Sequence, residues 1–145
     1  MALTWNSGPF ERYLEAELGR RLDAAAIEVQ SHTRTLLSKD GTGKRKNRVR
    51  NKAGKLVKSK KLVYNANPSK PGDPPALQTG RLRGSIAWDK PSLYVRRVGP
   101  GVKYGRPLEL GSPKTHLLPR PFMVRALKER VARIRALMRR PLTGI

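Results

Sequence analysis

Residues 78–90 read QTGRLRGSIAWDK, and this stretch decides between an all-helical chain and an α+β one. Leu82, Ile86 and Trp88 fall at even spacings, while Arg81, Arg83, Ser85 and Asp89 occupy the alternate positions. A period of two places the apolar set on one face of a strand and the polar set on the other. The spacing therefore predicts a strand along this stretch. A turn at Asp89 to Ser92 leads into a second strand, LYVRRVG, closing an antiparallel hairpin that Gly99-Pro100-Gly101 terminates.

Upstream, Phe10 to Leu37 reads as one long helix. Phe10, Leu14, Leu18, Leu22, Ala25, Val29 and Leu36 recur at steps that form one apolar stripe. Gly8 before Pro9 suits an N-cap followed by the first helical position, and Glu11 and Glu15 complement the positive helix end. Downstream, Pro121 opens a second helix to about Arg139. Val124, Leu127, Val131, Ile134 and Met138 form its expected apolar stripe, with Arg125, Lys128, Arg133 and Arg135 opposite. The segment from Tyr104 to Leu110 reads equally as a helical turn or an irregular edge, and Pro113 to Pro119 as extended linker. The order predicts a single α+β domain over 1–145: long N-terminal helix, small antiparallel sheet packed on two helices, C-terminal helix.

Between the first helix and the hairpin the character changes. Residues 39–63 are rich in Gly, Asn, Lys and Arg, with one acid and no aromatic residue. Such a run buries too little apolar surface to offset the entropy of ordering it, and reads as a mobile basic arm or an extended hairpin insertion. A turn is expected at Asn51 to Gly54, with Leu56-Val57 and Leu62-Val63-Tyr64 as strand ends. NANPSKPGDPP, which follows, must be extended because proline removes backbone donors.

The chain carries 32 Lys and Arg against 10 Asp and Glu, a net charge of +22. Solubility alone asks for about 2–8 charges in a small domain, so the excess points to an anionic partner. Nucleic acid is the commonest such polyanion, ahead of an acidic protein surface or an anionic membrane. Within the arm, Lys44, Arg45, Lys46, Arg48, Arg50, Lys52, Lys55, Lys58, Lys60 and Lys61 are the candidate contacts to nucleic acid or an acidic partner. They lack interleaved aromatics for stacking on bases and a recognition helix, so the expected binding is nonspecific and salt-dependent. There is no cysteine. No apolar run approaches the roughly 18 residues of a membrane span, no secretory leader is visible in MALTWNSGPFER, and no membrane partner is expected.

Catalytic equipment is not legible. His32 is expected at the solvated end of the first helix and His116 in a proline-bounded loop, with no carboxylate spaced to join them as metal ligands. Ser85 lacks the second glycine of a nucleophile elbow, and the scattered glycines make no phosphate loop. Glu11, Glu15, Glu17, Asp23, Glu28 and Glu129 fall on the two helices, where surface charge balance accounts for them. Glu109, between Leu108 and Leu110, stands apart, and reads either as an ion pair with a neighbouring Arg or as a subunit contact. The chain is not expected to be an enzyme or to carry a cofactor or metal.

SKPGDPPALQTGRLRGSI, from Ser69 to Ile86, resembles the signature of small neck or tail-completion proteins that join head to tail in long-tailed bacteriophages. The resemblance rests on Gly72, Pro74, Pro75, Thr79, Gly80, Leu82, Ser85 and Ile86, followed by Tyr104, Glu109, Gly111, Pro121 and Phe122. It covers about half of the chain in order and spacing, with Leu110 and Ser112 standing where the family often has an aromatic residue and Thr. It implies a homo-oligomeric ring, six copies favoured over twelve, at the neck of the virion and assembled in the host cytoplasm. The implied partners are portal, adaptor or head-closure proteins, the tail terminator or tail tube, and double-stranded DNA passing nonspecifically through the channel. A general nucleic-acid-binding protein, ribosome- or nucleoid-associated, is the alternative.

Overall fold

The computed structural model describes residues 7–41, 48–50, 56–58 and 69–142, the two short internal segments by backbone alone. Helix α1 (Gly8–Leu36) is followed by strands β1 (Arg48–Arg50) and β2 (Leu56–Lys58) and a helical turn α2 (Arg81–Gly84). Strands β3 (Ile86–Ser92) and β4 (Val95–Pro100), helix α3 (Gly105–Leu110), a 3-10 turn at Pro113–Thr115 and helix α4 (Met123–Met138) complete the chain. The α+β class and the order of helix, antiparallel hairpin and C-terminal helix are as the sequence predicts. The β3–β4 hairpin packs mainly on α1, which also packs on α4, and Met123 of α4 joins the core cluster of Ile86 and Val98.

The deciding stretch divides in two. Its first half, Arg81–Gly84, is a helical turn, and the strand begins only at Ile86. Leu82 and Ile86 are four residues apart, an interval that serves one helical turn as well as two strand steps. Gly80 enters the turn with φ +74, Gly84 N–H donates to Gly80 O, and the Ser85 hydroxyl donates to Leu82 O at 2.8 Å, ending it. The hairpin then runs beyond the expected turn. Asp89 and Ser92 lie in β3, with Trp88 opposite Val98 and Asp89 opposite Arg97. The register slips between Asp89 and Ser92. Pro91 sits there, and its missing N–H leaves a gap in the ladder. The reversal falls at Leu93-Tyr94, where Arg96 donates to the carbonyls of Ser92, Leu93 and Val95.

Helix α1 keeps most of its expected stripe. Val29 and Leu36 are buried, joined by Ala26 and Thr33, whereas Phe10 is exposed at the free end. Thr33 tolerates burial because its hydroxyl donates to Val29 O at 2.7 Å. Helix α4 differs more. Val124 and Leu127 of the expected stripe are about half exposed, at 48% and 50%, and Val131 is exposed as well. The inward face instead runs through Met123, Ala126, Arg130, Ile134 and Leu137. Ala126 is fully buried, and Arg130 belongs to this face because α1 supplies partners for its charge: Glu28, 3.5 Å away, and the His32 ring.

The extended segment and the linker are stapled to this frame. Leu77 N–H donates to Lys39 O, Gly72 N–H to Pro119 O and Arg120 N–H to Leu108 O. Pro113 to Pro119 is less extended than expected, folding into a 3-10 turn closed by a bridge between Ser112 and Leu117. Tyr104 to Leu110 resolves as helix from Gly105, which is buried where a Cβ would lie 2.5 Å from Pro100 Cγ. Within the arm, β1 and β2 form an antiparallel ladder with Arg48 opposite Lys58, Val49 opposite Val57 and Arg50 opposite Leu56. The expected turn at Asn51 to Gly54 and strand end at Leu62 to Tyr64 lie outside the described residues, as do Lys44, Arg45, Lys46, Lys52, Lys55, Lys60 and Lys61.

Candidate functional site

The residues singled out between 74 and 122 come together where the two halves of the chain meet. Ile86 and Phe122 are fully buried against Leu37, with Leu82, Val98, Leu108 and Met123 packed around them. Both faces of the contact are held by polar groups. Gln30 Nε2 and an Arg34 guanidinium nitrogen donate to Ile86 O at 2.9 and 2.8 Å, tying the start of β3 to α1.

On the other side stands Glu109. It makes no ion pair with a neighbouring Arg among the described residues, and its carboxylate is taken up within the chain. Its Oε2 accepts from the backbone N–H of Phe122 at 2.7 Å and of Met123 at 3.0 Å, and its Oε1 from that of Val124 at 2.9 Å. These are among the amides that a helix start leaves without internal acceptors, and the carboxylate also meets the positive end of the α4 dipole. Pro121 therefore lies outside the helix it was expected to open, and Phe122 is the N-cap position, with no side-chain cap of its own. The cap comes instead from thirteen residues earlier.

Gly111 makes this return possible. It lies at φ +80, ψ 172, and a Cβ there would stand 2.9 Å from Leu117 O. Gly111→Ala combines a glycine-only backbone region with a backbone clash, and is expected to cost about 2 kcal/mol, read as a lower denaturant midpoint with unchanged slope.

Pro75, Thr79, Gly80, Leu82 and Tyr104 border a hollow of about 260 Å³ that also meets Arg83 and Arg120. Pro74 borders a smaller neighbouring one of about 140 Å³ with Asp73 and Arg125. The candidate signature thus comprises a core contact, a helix cap and a cavity rim.

The helical acids do more than balance surface charge. Asp23 pairs with Arg96, whose side chain is 4% exposed and also donates to Gly19 O, joining hairpin to α1. Glu28 meets Arg130 and Arg133 at 3.5 and 3.3 Å, joining α1 to α4. His32, expected at a solvated helix end, is 13% exposed between the same helices. Its Nε2 faces Glu129 Oε2 at 2.6 Å and its Nδ1 faces an Arg130 nitrogen at 2.9 Å. Because arginine can only donate, Nδ1 is the acceptor and Nε2 carries the proton.

The bond from His32, and secondarily the one from Arg125, holds the Glu129 carboxyl below the usual carboxylate range. A carboxyl depressed in the folded state stabilises above its unfolded pKa, and that contribution disappears as pH falls through the folded value. Glu129→Gln is therefore expected to lower Tm at neutral pH but to converge with the parent in acid, giving a flatter acid limb in a melting series.

Among the described residues no group of three or more His, Asp or Glu is arranged to hold a metal ion, and no helix is long and apolar enough to cross a membrane. No protein-family model matches this chain, and no curated protein or solved structure matches it either.

Proposed function

We propose that this chain is a structural, non-catalytic subunit of a bacteriophage neck, completing the tail and joining it to the portal around the DNA channel. The observation carrying this reading is the convergence of the ordered motif on one joint. Leu82, Ile86 and Phe122 meet in the core, while Glu109 and Gly111 lock the last helix to the segment before it. A motif of this kind specifies a scaffold rather than a reaction. The scaffold leaves Val124, Leu127 and Val131 exposed along α4, with Arg125 and Lys128 beside them, as a face that assembly into a ring would cover.

The net charge of +22 is the observation that favours the alternative, a general nucleic-acid-binding protein. Mass photometry with and without duplex DNA, and with purified portal and tail tube, separates the two. A ring, or a species that assembles only on portal or tail, supports the neck subunit. A monomer that coats DNA and never associates with virion proteins overturns it.

The arm is testable by itself. None of the apolar residues that form the stripes of α1 and α4 or the β3–β4 hairpin falls within residues 42–61. Replacing those residues with a short Gly-Ser linker is expected to leave cooperative unfolding intact while reducing the salt dependence of DNA binding, since each lost phosphate contact lowers the slope by about 0.9. Loss of cooperative unfolding would show the arm to be part of the core.

A further inference from the structure

We propose that the 260 Å³ hollow between the proline-rich segment and α3 is a recognition pocket for an acidic peptide segment of a partner protein, a Glu or Asp beside a large apolar residue. Its apolar lining comes from Leu37, Pro75, Leu77, Leu82 and Leu108, polar surface from Gln78, Thr79 and Tyr104, and its cations are Arg83 and Arg120.

The charge arrangement sets these two arginines apart from the general basic surface. Arg120 is half-buried, and its Nε is enclosed without a hydrogen-bond partner. Among the described residues, Arg83 reaches the Ser38 hydroxyl, at 3.3 Å, and no other side chain. Neither has a carboxylate within ion-pairing distance among the described residues: Glu109 is held by the α4 amides, and Asp40 and Asp73 border the neighbouring hollow, where Asp73 lies 3.8 Å from Arg125. Ser69, on the same wall and 5% exposed, has a hydroxyl with no partner either. Enclosing a cation and a hydroxyl without acceptors is costly, and the deficit is relieved by a ligand that brings acceptor oxygens.

Carboxylate matches a guanidinium in a two-pronged geometry, and an adjoining apolar side chain would displace water from the leucine and proline walls. A phosphodiester backbone would satisfy the charge but leave those walls unfilled. The volume lies just under the roughly 300–1,000 Å³ of small-molecule sites, which suits one or two side chains of a peptide. The pocket stands whether or not the neck assignment does, since its test needs no assembly partner.

The test is fluorescence polarisation of the full chain with a labelled GSLEFSG peptide at about 150 mM salt, against the same peptide with Gln in place of Glu. Saturable binding with Kd below about 1 mM is expected, weakened at least 10-fold by the Gln peptide and by Arg120→Gln. Lys90→Gln, which removes the same charge from an exposed position on β3 beside the start of α1, should leave it unchanged. Should Arg120→Gln melt well below the parent, Arg83→Gln, on an exposed residue, carries the test with a 3-fold or greater loss. Equal binding of the two peptides, equal losses in the Arg120 and Lys90 variants, or no binding would each overturn the proposal. So would duplex DNA responding to Arg120→Gln while the peptide does not bind, which would assign the pocket to phosphate.

Discussion

Phe122→Ala is expected to destabilise the protein by about 3–5 kcal/mol and lower Tm by roughly 10–15 °C, the largest effect of any single truncation here. Phe122 is fully buried and, with Ile86, is one of the two largest such side chains. It stands where Leu37 from the end of α1, Ile86 from the start of β3 and Leu108 from α3 converge. Truncation leaves a void shared by elements that are fixed separately by hydrogen bonds: Ile86 O by Gln30 and Arg34, Leu108 O by Arg120 N–H. Those anchors keep the walls from collapsing inward, so the full cavity cost applies. Phe122→Leu should recover more than half of the loss, because volume is largely restored. Chemical denaturation of both variants checks this, and a loss below about 1 kcal/mol for the alanine would mean that the joint is not part of the cooperative core.

Glu109→Ala comes next, with an expected loss of about 3 kcal/mol. Three amide donors at the start of α4 lose a charged acceptor together, and the favourable meeting of carboxylate and helix dipole goes with them. Water can reach some of these amides, since Val124 is about half exposed, which holds the loss below three full hydrogen bonds. Two conservative variants separate the contributions. Glu109→Gln keeps the length but offers one acceptor oxygen, and should lose about half as much. Glu109→Asp keeps the charge but falls short of the three amides and should resemble the alanine. Hydrogen exchange locates the effect: protection should drop first at Phe122, Met123 and Val124, then along α4, while the β3–β4 ladder keeps its own. Uniform loss would place Glu109 in the global core instead.

These two residues belong to one device. Phe122 gives the start of α4 its position, and Glu109 satisfies the backbone that this position exposes. Both act through packing and backbone hydrogen bonds, and that is the support for reading the motif as scaffold. The economy of charge follows the same logic. With 10 acids against 32 basic residues, acids are spent at joints between elements, as Asp23 is on Arg96 and Glu28 on Arg130 and Arg133. Among the described residues, Arg83 and Arg120 at the pocket have no carboxylate within ion-pairing distance.

The amino-acid sequence by itself determined what local periodicity and composition control. The α1 helix, the β3–β4 hairpin, the α4 helix and the large positive charge all follow from spacing and residue type, because those features are set by neighbours within a few positions. Tertiary structure decided the rest. Whether Leu82 belongs to a strand or a helical turn is undetermined by a four-residue interval, and Gly80 with Ser85 settles it by closing the turn. Which face of α4 is buried depends on partners in α1, where Glu28 and His32 draw Arg130 inward and leave Val124, Leu127 and Val131 outside. The role of Glu109 depends on amides thirteen to fifteen residues away, a distance over which sequence spacing carries no geometric information. The pocket at Arg83 and Arg120 exists only because the fold brings Leu37, Pro75 and Leu108 together from distant positions in the chain.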